Sequence, residues 1–404
     1  MAVNSLTFEQ VSTVLTSIVN QATNQAVLTP TDTGSFTSVA TIALNASRDA
    51  VMNAISNVLA RTIFSIRPYS AKLTGLEMDS FRWGNMMRKL SIADTAWQDD
   101  PGYEWPVTYD SSQTGHETGD GYAVDPWTIK KPNVLQTNFY GSSVYFDEMT
   151  ITEDQLETAF SGPEQLGSFL TLLMTNLSNR LEMSNEGLRR GIVANAIAAI
   201  KAENKAERQI KLLTEYNSAT GESFTKADLY HPDNFPAFAK WAYARIANVT
   251  DLFTANSTMF QTVISGKPIL RHTPLEMQRV YMFSPLMQQV SARVLADTYH
   301  ENFLRYSDVE SLAYWQSIAT PDTVKAKPCY TGTDGSVVTA GSAVTVENVV
   351  GLIFDQDAMG MTVRDRRVLS TPLNTKGLYR NIHVHCKQRC FFDSTEKVAL
   401  ITLD

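Results

Sequence analysis

Apolar residues recur at helical spacing over a stretch that runs from Ser161 to about Asn204. They form one stripe, which consists of Leu166, Phe169, Leu170, Leu173, Leu177, Leu181, Leu188, Ile192, Ala196 and Ile200. Ser161, Pro163 and Glu164 predict the start, with a capping side chain, a proline at the first helical position and a glutamate that reaches back. A helix of about forty residues spans roughly 60 Å. We therefore predict a long spine that braces an extended body.

Two shorter helical stripes precede this spine. The first consists of Phe8, Val11, Leu15 and Ile18 behind a capping box from Thr7 to Gln10, and the second runs from about Phe36 to Arg61. Residues 1–47 contain no lysine or arginine and are rich in Ser, Thr, Asn and Gln. This composition predicts an N-terminal arm whose first helix needs a partner surface.

The hydrophobic period changes to two between Trp97 and Ile151. Strands are predicted at 105–109, 134–140 and 142–146, and the polar, glycine-containing run from Ser111 to Asp125 separates the first two. The pattern predicts a long β-hairpin with a mobile tip. Because two strands are rarely stable alone in water, we expect the hairpin and its flanking aromatic residues to lie on a neighbouring subunit.

A mixed region follows the long helix. The pattern predicts helices at 235–253 and 285–303, and strands at 281–283, 349–354, 378–392 and 397–403. The predicted fold class is therefore α+β.

Composition limits the class of protein further. The chain has 404 residues, of which 43% are hydrophobic and 19% are charged, so it can bury a sizeable core in more than one subdomain. Its net charge of −8 lacks the basic footprint of a protein that grips nucleic acid through the phosphates. We expect neither a signal peptide nor a membrane span, and the three cysteines suit a reducing compartment.

Residues with the potential for chemistry are sparse. In a strand, His383 and His385 point to one face while Cys386 and Cys390 point to the other, so the four cannot surround one metal ion. The adjacent carboxylates Asp147 and Glu148 likewise diverge. No nucleophile or cofactor motif is recognisable. We therefore predict no enzyme activity, metal site or cofactor.

Four segments carry a resemblance to a known family. They are 138–141 (Asn-Phe-Tyr-Gly), 156–160 (Leu-Glu-Thr-Ala-Phe), the helix from Phe169 to Glu182, and 377–385. Their order and spacing resemble the major head proteins of phi-29-like podoviruses. The order of arm, hairpin, spine helix, α/β domain and returning strand resembles the Hong Kong 97-type major capsid proteins of tailed bacteriophages.

The resemblance implies a division of the chain into named parts. These are an N-terminal arm (1–65), a connector (66–96), an extended hairpin called the E-loop (97–150), a P-domain with the spine helix (151–212), a mixed α/β A-domain (213–375) and C-terminal strands that return to the P- and A-domains (376–404). Within the spine, Gly187 and Gly191 either allow bending or allow close packing against a strand.

The resemblance also implies a function. The expected protein self-assembles as pentamers and hexamers into an icosahedral shell, in the host bacterial cytoplasm, and encloses double-stranded DNA in the virion without sequence-specific binding. Expected partners are other copies of the chain, a scaffolding protein, a portal, and decoration or tail proteins, with no membrane. The subunit-contact candidates are Phe8, Val11, Leu15, Trp105, Trp127, Lys130, Lys131, Phe139, Tyr145, Arg364, Arg366 and Arg367.

The sequence leaves three alternatives open. An encapsulin-like compartment shares the fold but encloses enzyme cargo. A portal or tail component assembles into rings rather than shells. A soluble α/β enzyme is the third alternative, although the basic runs 130–131 and 364–367 are interpreted as solvated faces or inter-subunit ion pairs.

Overall fold

A computed structural model provides the structure of the chain. It describes residues 8–23, 27, 29–45, 54, 72–78, 86–93, 133–140, 143–155, 162–265, 269–294 and 309–404. The described helices are α1 (Phe8–Thr23), α2 (Thr33–Asn45), α3 (Pro163–Glu203), α4 (Leu212–Thr220), α5 (Lys226–Leu229), α6 (Phe235–Thr254) and α7 (Ser284–Val294).

The described strands alternate with these helices along the chain. They are β1 (Glu77–Met78), β2 (Met86–Ala93), β3 (Asn133–Tyr140), β4 (Ser143–Thr152), β5 (Gln209–Lys211), β6 (Gln278–Phe283), β7 (Val309–Leu312), β8 (Val324–Ala326), β9 (Cys329–Thr331), β10 (Val337–Thr339), β11 (Val344–Val346), β12 (Val349–Asp355), β13 (Met359–Ser370), β14 (Tyr379–Phe392) and β15 (Val398–Thr402). The predicted α+β class is confirmed, and the elements follow the order expected for the Hong Kong 97-type fold.

Helix α3 is the predicted spine, with 41 residues. Its N-cap is Gly162, which makes no side-chain capping bond, so the predicted cap at Ser161 is wrong. The reason is that Pro163 occupies the first helical position, and the cap is the residue immediately before it. At the other end Asn204 adopts the left-handed conformation (φ 51°) that commonly ends a helix.

The N-terminal helices fold back onto their own chain. Helices α1 and α2 pack against the first turns of α3 and the nearby sheet through one apolar cluster, whose members include Val11, Leu15, Ile18, Phe36, Ile151, Leu166 and Ile382. The partner surface that α1 needs is therefore intramolecular. The predicted second helix begins earlier, at Thr33, and residues 46–53 and 55–61 lie outside the described residues.

A four-stranded sheet, here called the P sheet, has the order β1-β13-β14-β4. Helix α3 lies on one face, where Leu177 and Leu181 pack on Val384 and Cys386 of β14. Strand β4 pairs along β14 from Thr152 to Ser143, so residues 143–150 belong to this sheet and not to the predicted hairpin.

A five-stranded sheet, the A sheet, has the order β5-β15-β12-β6-β7. Every residue of β12 and β15 is buried, because the sheet is covered on both faces. The C-terminal half of α3 covers one face through Ile197 and Ile200, and α6 covers the other through Ile246 and Val249.

The base of the projecting hairpin is a two-stranded sheet. Strands β2 and β3 pair from Met86 with Tyr140 to Ala93 with Asn133. The first strand thus lies within the segment predicted to be a connector. The predicted strand 105–109 and the tip 111–125 lie outside the described residues.

Candidate assembly surfaces

The hairpin base has two chemically different faces. Residues directly opposite each other in an antiparallel pair share a face, so Ile92 and Val134 lie together, and Leu90 follows two residues from Ile92. This face is exposed: Leu90 and Ile92 keep 62% and 64% of their surface accessible. Three branched aliphatic side chains therefore form an apolar row, here called the outer row, that points away from the body.

The opposite face is tied to the body by buried charges. The Lys89 Nζ atom lies 2.5 Å from Glu396 Oε1 and 3.1 Å from Asp393 Oδ2, and Arg271 Nη1 lies 2.9 Å from Glu396 Oε1. Arg271 also donates to Ser91 Oγ over 3.0 Å. Burial lowers the pKa of Lys89, but the two carboxylates outweigh it and the pKa is raised above its usual value. This group of side chains is here called the hairpin catch.

An aromatic pair lies beside the catch. The rings of Phe139 on β3 and Phe391 on β14 are 5.2 Å apart between centroids. The predicted contact residue Phe139 thus packs within its own chain. Leu135, also on β3, lines a small cavity together with Gln261, Ile264, Ile269 and Thr395.

The P sheet has an open face on the side away from α3. Phe146 is 63% exposed there, and its ring lies 6.0 Å from that of His385. His383 Nδ1 is 3.8 Å from Glu148 Oε2, and the exposed Leu369 lies opposite His383 in the register. Cys386 is buried on the α3 face, as the alternation predicts. Within the described ranges, no group of three or more His, Cys, Asp or Glu side chains is arranged to hold a metal ion.

Between α3 and the P sheet runs a polar seam. Tyr145 Oη donates to Asn185 Oδ1 over 2.6 Å and accepts from Gln388 Nε2 over 3.1 Å. Burial raises the pKa of Tyr145. Arg366 lies opposite Cys386 on this face, and burial lowers the pKa of its guanidinium group. Tyr145 and Arg366 therefore face α3 and not a neighbouring subunit, which corrects their assignment as contact candidates.

Two buried arginines anchor the middle of α3. Arg189 pairs with Glu77 of β1 and donates to the Lys72 carbonyl oxygen over 3.2 Å. Arg190 pairs with Glu186 over 2.8 Å, and its guanidinium group lies 3.8 Å from the centre of the Tyr314 ring.

The two spine glycines lie beside these arginines in the sequence. A Cβ atom added to Gly187 or Gly191 meets no atom within 4 Å, so close intramolecular packing does not explain either glycine.

The arm candidates are placed differently from the prediction. Val11 and Leu15 keep 2% and 0% of their surface accessible within their own chain. Their assignment as subunit contacts is wrong, because helical periodicity predicts that a face is buried but not which chain buries it. Phe8 remains exposed at the edge of this cluster, 6.4 Å from the Phe36 ring.

The remaining candidates are partly outside the described residues. This applies to Trp105, Trp127, Lys130 and Lys131. Arg364 lies at the irregularity in β13 between Val363 and Asp365. Arg367 is exposed on the open face of the P sheet.

Sequence reasoning missed the hairpin catch and the outer row. Residues 66–96 were assigned to a connector, although Leu90 and Ile92 alternate with Lys89 and Ser91. This alternation is the one available signal, and it covers only four residues. The acidic partners lie about 300 residues further along the chain, where no local pattern links them to β2.

The long described helices do not include one that is apolar enough to cross a membrane. Comparison with curated proteins finds no match. Comparison with solved structures finds phage capsids. The capsid of Staphylococcus phage Andhra is similar at 13% identity, with a TM-score of 0.49, over 84% of this chain and 87% of that chain.

Two further capsid structures are similar over the same share of this chain, 84%. The mature capsid of bacteriophage PhiM1 shares 9% identity, with a TM-score of 0.42, over 88% of that chain. The capsid of Cyanophage P-SCSP1u shares 12% identity, with a TM-score of 0.40, over 89% of that chain. The family model of the Phi29-like phage major capsid protein matches residues 15–402, which is nearly the whole chain. The chain therefore belongs to the Phi29-like phage major capsid protein family.

Proposed function

We propose that this phage major capsid protein self-assembles as pentamers and hexamers into an icosahedral shell that encloses double-stranded DNA. The observation that carries the proposal is the outer row. Leu90, Ile92 and Val134 are exposed together on a projecting element whose other face is already occupied. A contiguous exposed apolar face on a projecting strand pair is typical of an interaction surface.

The arrangement supports contact between different surfaces of identical subunits. Such heterologous contacts form rings when the rotation between subunits closes. The outer row supplies one apolar surface. The open face of the P sheet, with Phe146 and Leu369, supplies a second apolar surface on a different part of the chain. We propose that assembly covers both.

The remaining partners follow from the shell. A net charge of −8 favours loose, sequence-independent containment of DNA over tight phosphate binding. We propose a scaffolding protein and a portal as assembly partners, and decoration or tail proteins as partners of the finished shell. The proposed locations are the virion for the shell and the host bacterial cytoplasm for its assembly.

The experiment compares two isoleucine-to-aspartate variants. Ile92→Asp places a charge in the outer row, whereas Ile318→Asp places the same charge on an isoleucine that is 77% exposed elsewhere. Each variant is expressed together with the neighbouring structural genes of the phage, and particles are counted by electron microscopy. Thermal unfolding of the purified subunits checks that both variants fold.

We expect Ile318→Asp to form closed, DNA-containing particles and Ile92→Asp to yield folded subunits without closed particles. Normal particles from both variants would show that the outer row is not an assembly surface. Absence of closed particles from the unmodified chain in the presence of its partners would refute the proposed function itself.

A further inference from the structure

The hairpin base is attached to the body by side chains. Strands β2 and β3 pair with each other, and within the described residues neither pairs with a strand of the P sheet or the A sheet. The two large sheets, by contrast, are held together by continuous backbone ladders. The angle between the hairpin base and the body therefore depends on a few side-chain contacts.

Lys89 supplies the charged part of this attachment. The described strands of the hairpin contain two charged residues, Arg88 and Lys89, and Arg88 is exposed on the side of the outer row. Lys89 points inward, where its ammonium group contacts Asp393 and Glu396 and donates to the Asp357 carbonyl oxygen over 3.2 Å.

The acidic pair has a second cation that belongs to the body. Arg271 pairs with Glu396, so withdrawal of Lys89 leaves this carboxylate with one partner. A buried carboxylate without any partner is strongly unfavourable, whereas one that keeps an arginine is tolerated. The body can therefore stay folded when the lysine leaves.

We propose that Lys89 and the acidic pair Asp393 and Glu396 form a releasable catch, which holds the hairpin at one angle to the body and whose opening lets the hairpin swing while both large sheets stay folded. The catch is an intramolecular positioning device. Its existence does not depend on the proposed shell, but in a shell it sets the direction in which the outer row is presented.

Hydrogen exchange measured by mass spectrometry on the full-length, unassembled subunit tests the proposal. Lys89→Met removes the charge and keeps most of the side-chain volume. Arg88→Met is the matched control, because it makes the same change on the exposed side of the same strand. Lys89→Arg keeps the charge, and Glu396→Gln weakens the catch from the opposite side.

We expect Lys89→Met to speed amide exchange in β2 and β3 by about tenfold, which corresponds to 1.4 kcal/mol in the free energy of opening. Glu396→Gln should act in the same direction, and Arg88→Met and Lys89→Arg should stay within about twofold of the unmodified chain. Exchange in β12 and β15 should not change in any variant.

Three results would overturn the proposal. The first is unchanged exchange in β2 and β3 of Lys89→Met. The second is an equal acceleration in β12 and β15, which would make Lys89 a general stabiliser of the fold. The third is an equal effect of Arg88→Met. None of these results depends on particle formation, so they are separate from a failure of the proposed function.

Discussion

The ammonium group of Lys397 donates a hydrogen bond to the main-chain carbonyl oxygen of Ala255 over 2.6 Å. It also donates to the carbonyl oxygen of Phe253 over 3.1 Å, and its side chain has no accessible surface. Both carbonyl groups lie at the C-terminal end of α6, where a cation is favoured by the helix dipole. A buried lysine therefore caps this helix.

This lysine predicts a specific dependence of stability on pH. Burial lowers the pKa of Lys397 to about 8, whereas an unfolded lysine has a pKa of about 10.4. Between these values the unfolded chain binds more protons, so the free energy of unfolding rises with pH across this window. We expect the contribution of Lys397 to grow by about 2 kcal/mol between pH 7 and pH 10.

Lys397→Met tests this dependence by urea unfolding at both pH values. At pH 7 the orphaned Ala255 carbonyl and the relieved desolvation of the charge oppose each other, so we expect a change of at most about 1 kcal/mol. At pH 10 the variant should be less stable than the unmodified chain by about 2 kcal/mol more than at pH 7. A difference that is the same at both pH values would contradict the buried, weakly basic amine.

The three cysteines should differ in reactivity. Cys329 is exposed, whereas Cys386 is buried and Cys390 is half-buried. Burial raises the pKa of Cys386, and it raises that of Cys390 to about 11, so at pH 8 about one Cys390 thiol in a thousand is a thiolate. We expect iodoacetamide to modify one thiol of the folded subunit at pH 8, and peptide mapping should place it at Cys329.

The controls for this labelling are simple. Cys329→Ser should leave the folded subunit almost unlabelled, and urea should make all three thiols of the unmodified chain reactive. Rapid labelling of Cys386 in the folded subunit would mean that α3 does not stay packed on β14.

Local elements were predictable where one residue pattern determines them. The ten apolar positions and Pro163 were sufficient for α3, and the continuous apolar run from Val349 to Phe354 was sufficient for β12. Both signals act within a few residues of each other. Periodicity therefore located the long helix to within a few residues at each end.

Pairing partners were not predictable in this way. Strand β4 lies beside β14, where Thr150 Oγ1 donates to Asn381 Oδ1 across 231 positions of sequence. No period-two pattern specifies which strand lies next to which, so β4 was joined to the hairpin. The same limit explains Lys89, which was not predicted because its acidic partners are distant in sequence and become neighbours only in the folded chain.

Two glycines of α3 should respond oppositely to a methyl group. At Gly187 an added Cβ atom meets open space, so Gly187→Ala should raise the free energy of unfolding by about 0.5–1 kcal/mol through helix propensity. At Gly167 the added atom lies 3.0 Å from Val11 Cγ2 of α1. Gly167→Ala should therefore gain less, and Gly167→Leu should loosen α1 at a cost of about 1–3 kcal/mol.

Urea unfolding measures both alanine variants, and hydrogen exchange in α1 measures the docking of the arm. Faster exchange in α1 of Gly167→Leu, with unchanged exchange in β12, is the expected result. If Gly167→Leu leaves α1 as protected as in the unmodified chain, the arm does not pack on α3 as the structure shows.

Tyr145 separates a role within the subunit from a role between subunits. Its hydroxyl group bonds to Asn185 and Gln388 inside the polar seam, so Tyr145→Phe should lower the free energy of unfolding by about 1 kcal/mol. Because the hydroxyl faces α3, particle yield should match that of the unmodified chain at any temperature where the variant subunit is folded. Tyr145→Ala also removes the buried ring, and it should cost about 3 kcal/mol or more. A Tyr145→Phe subunit of normal stability that fails to form particles would instead return Tyr145 to the surface between subunits, where the sequence pattern had placed it.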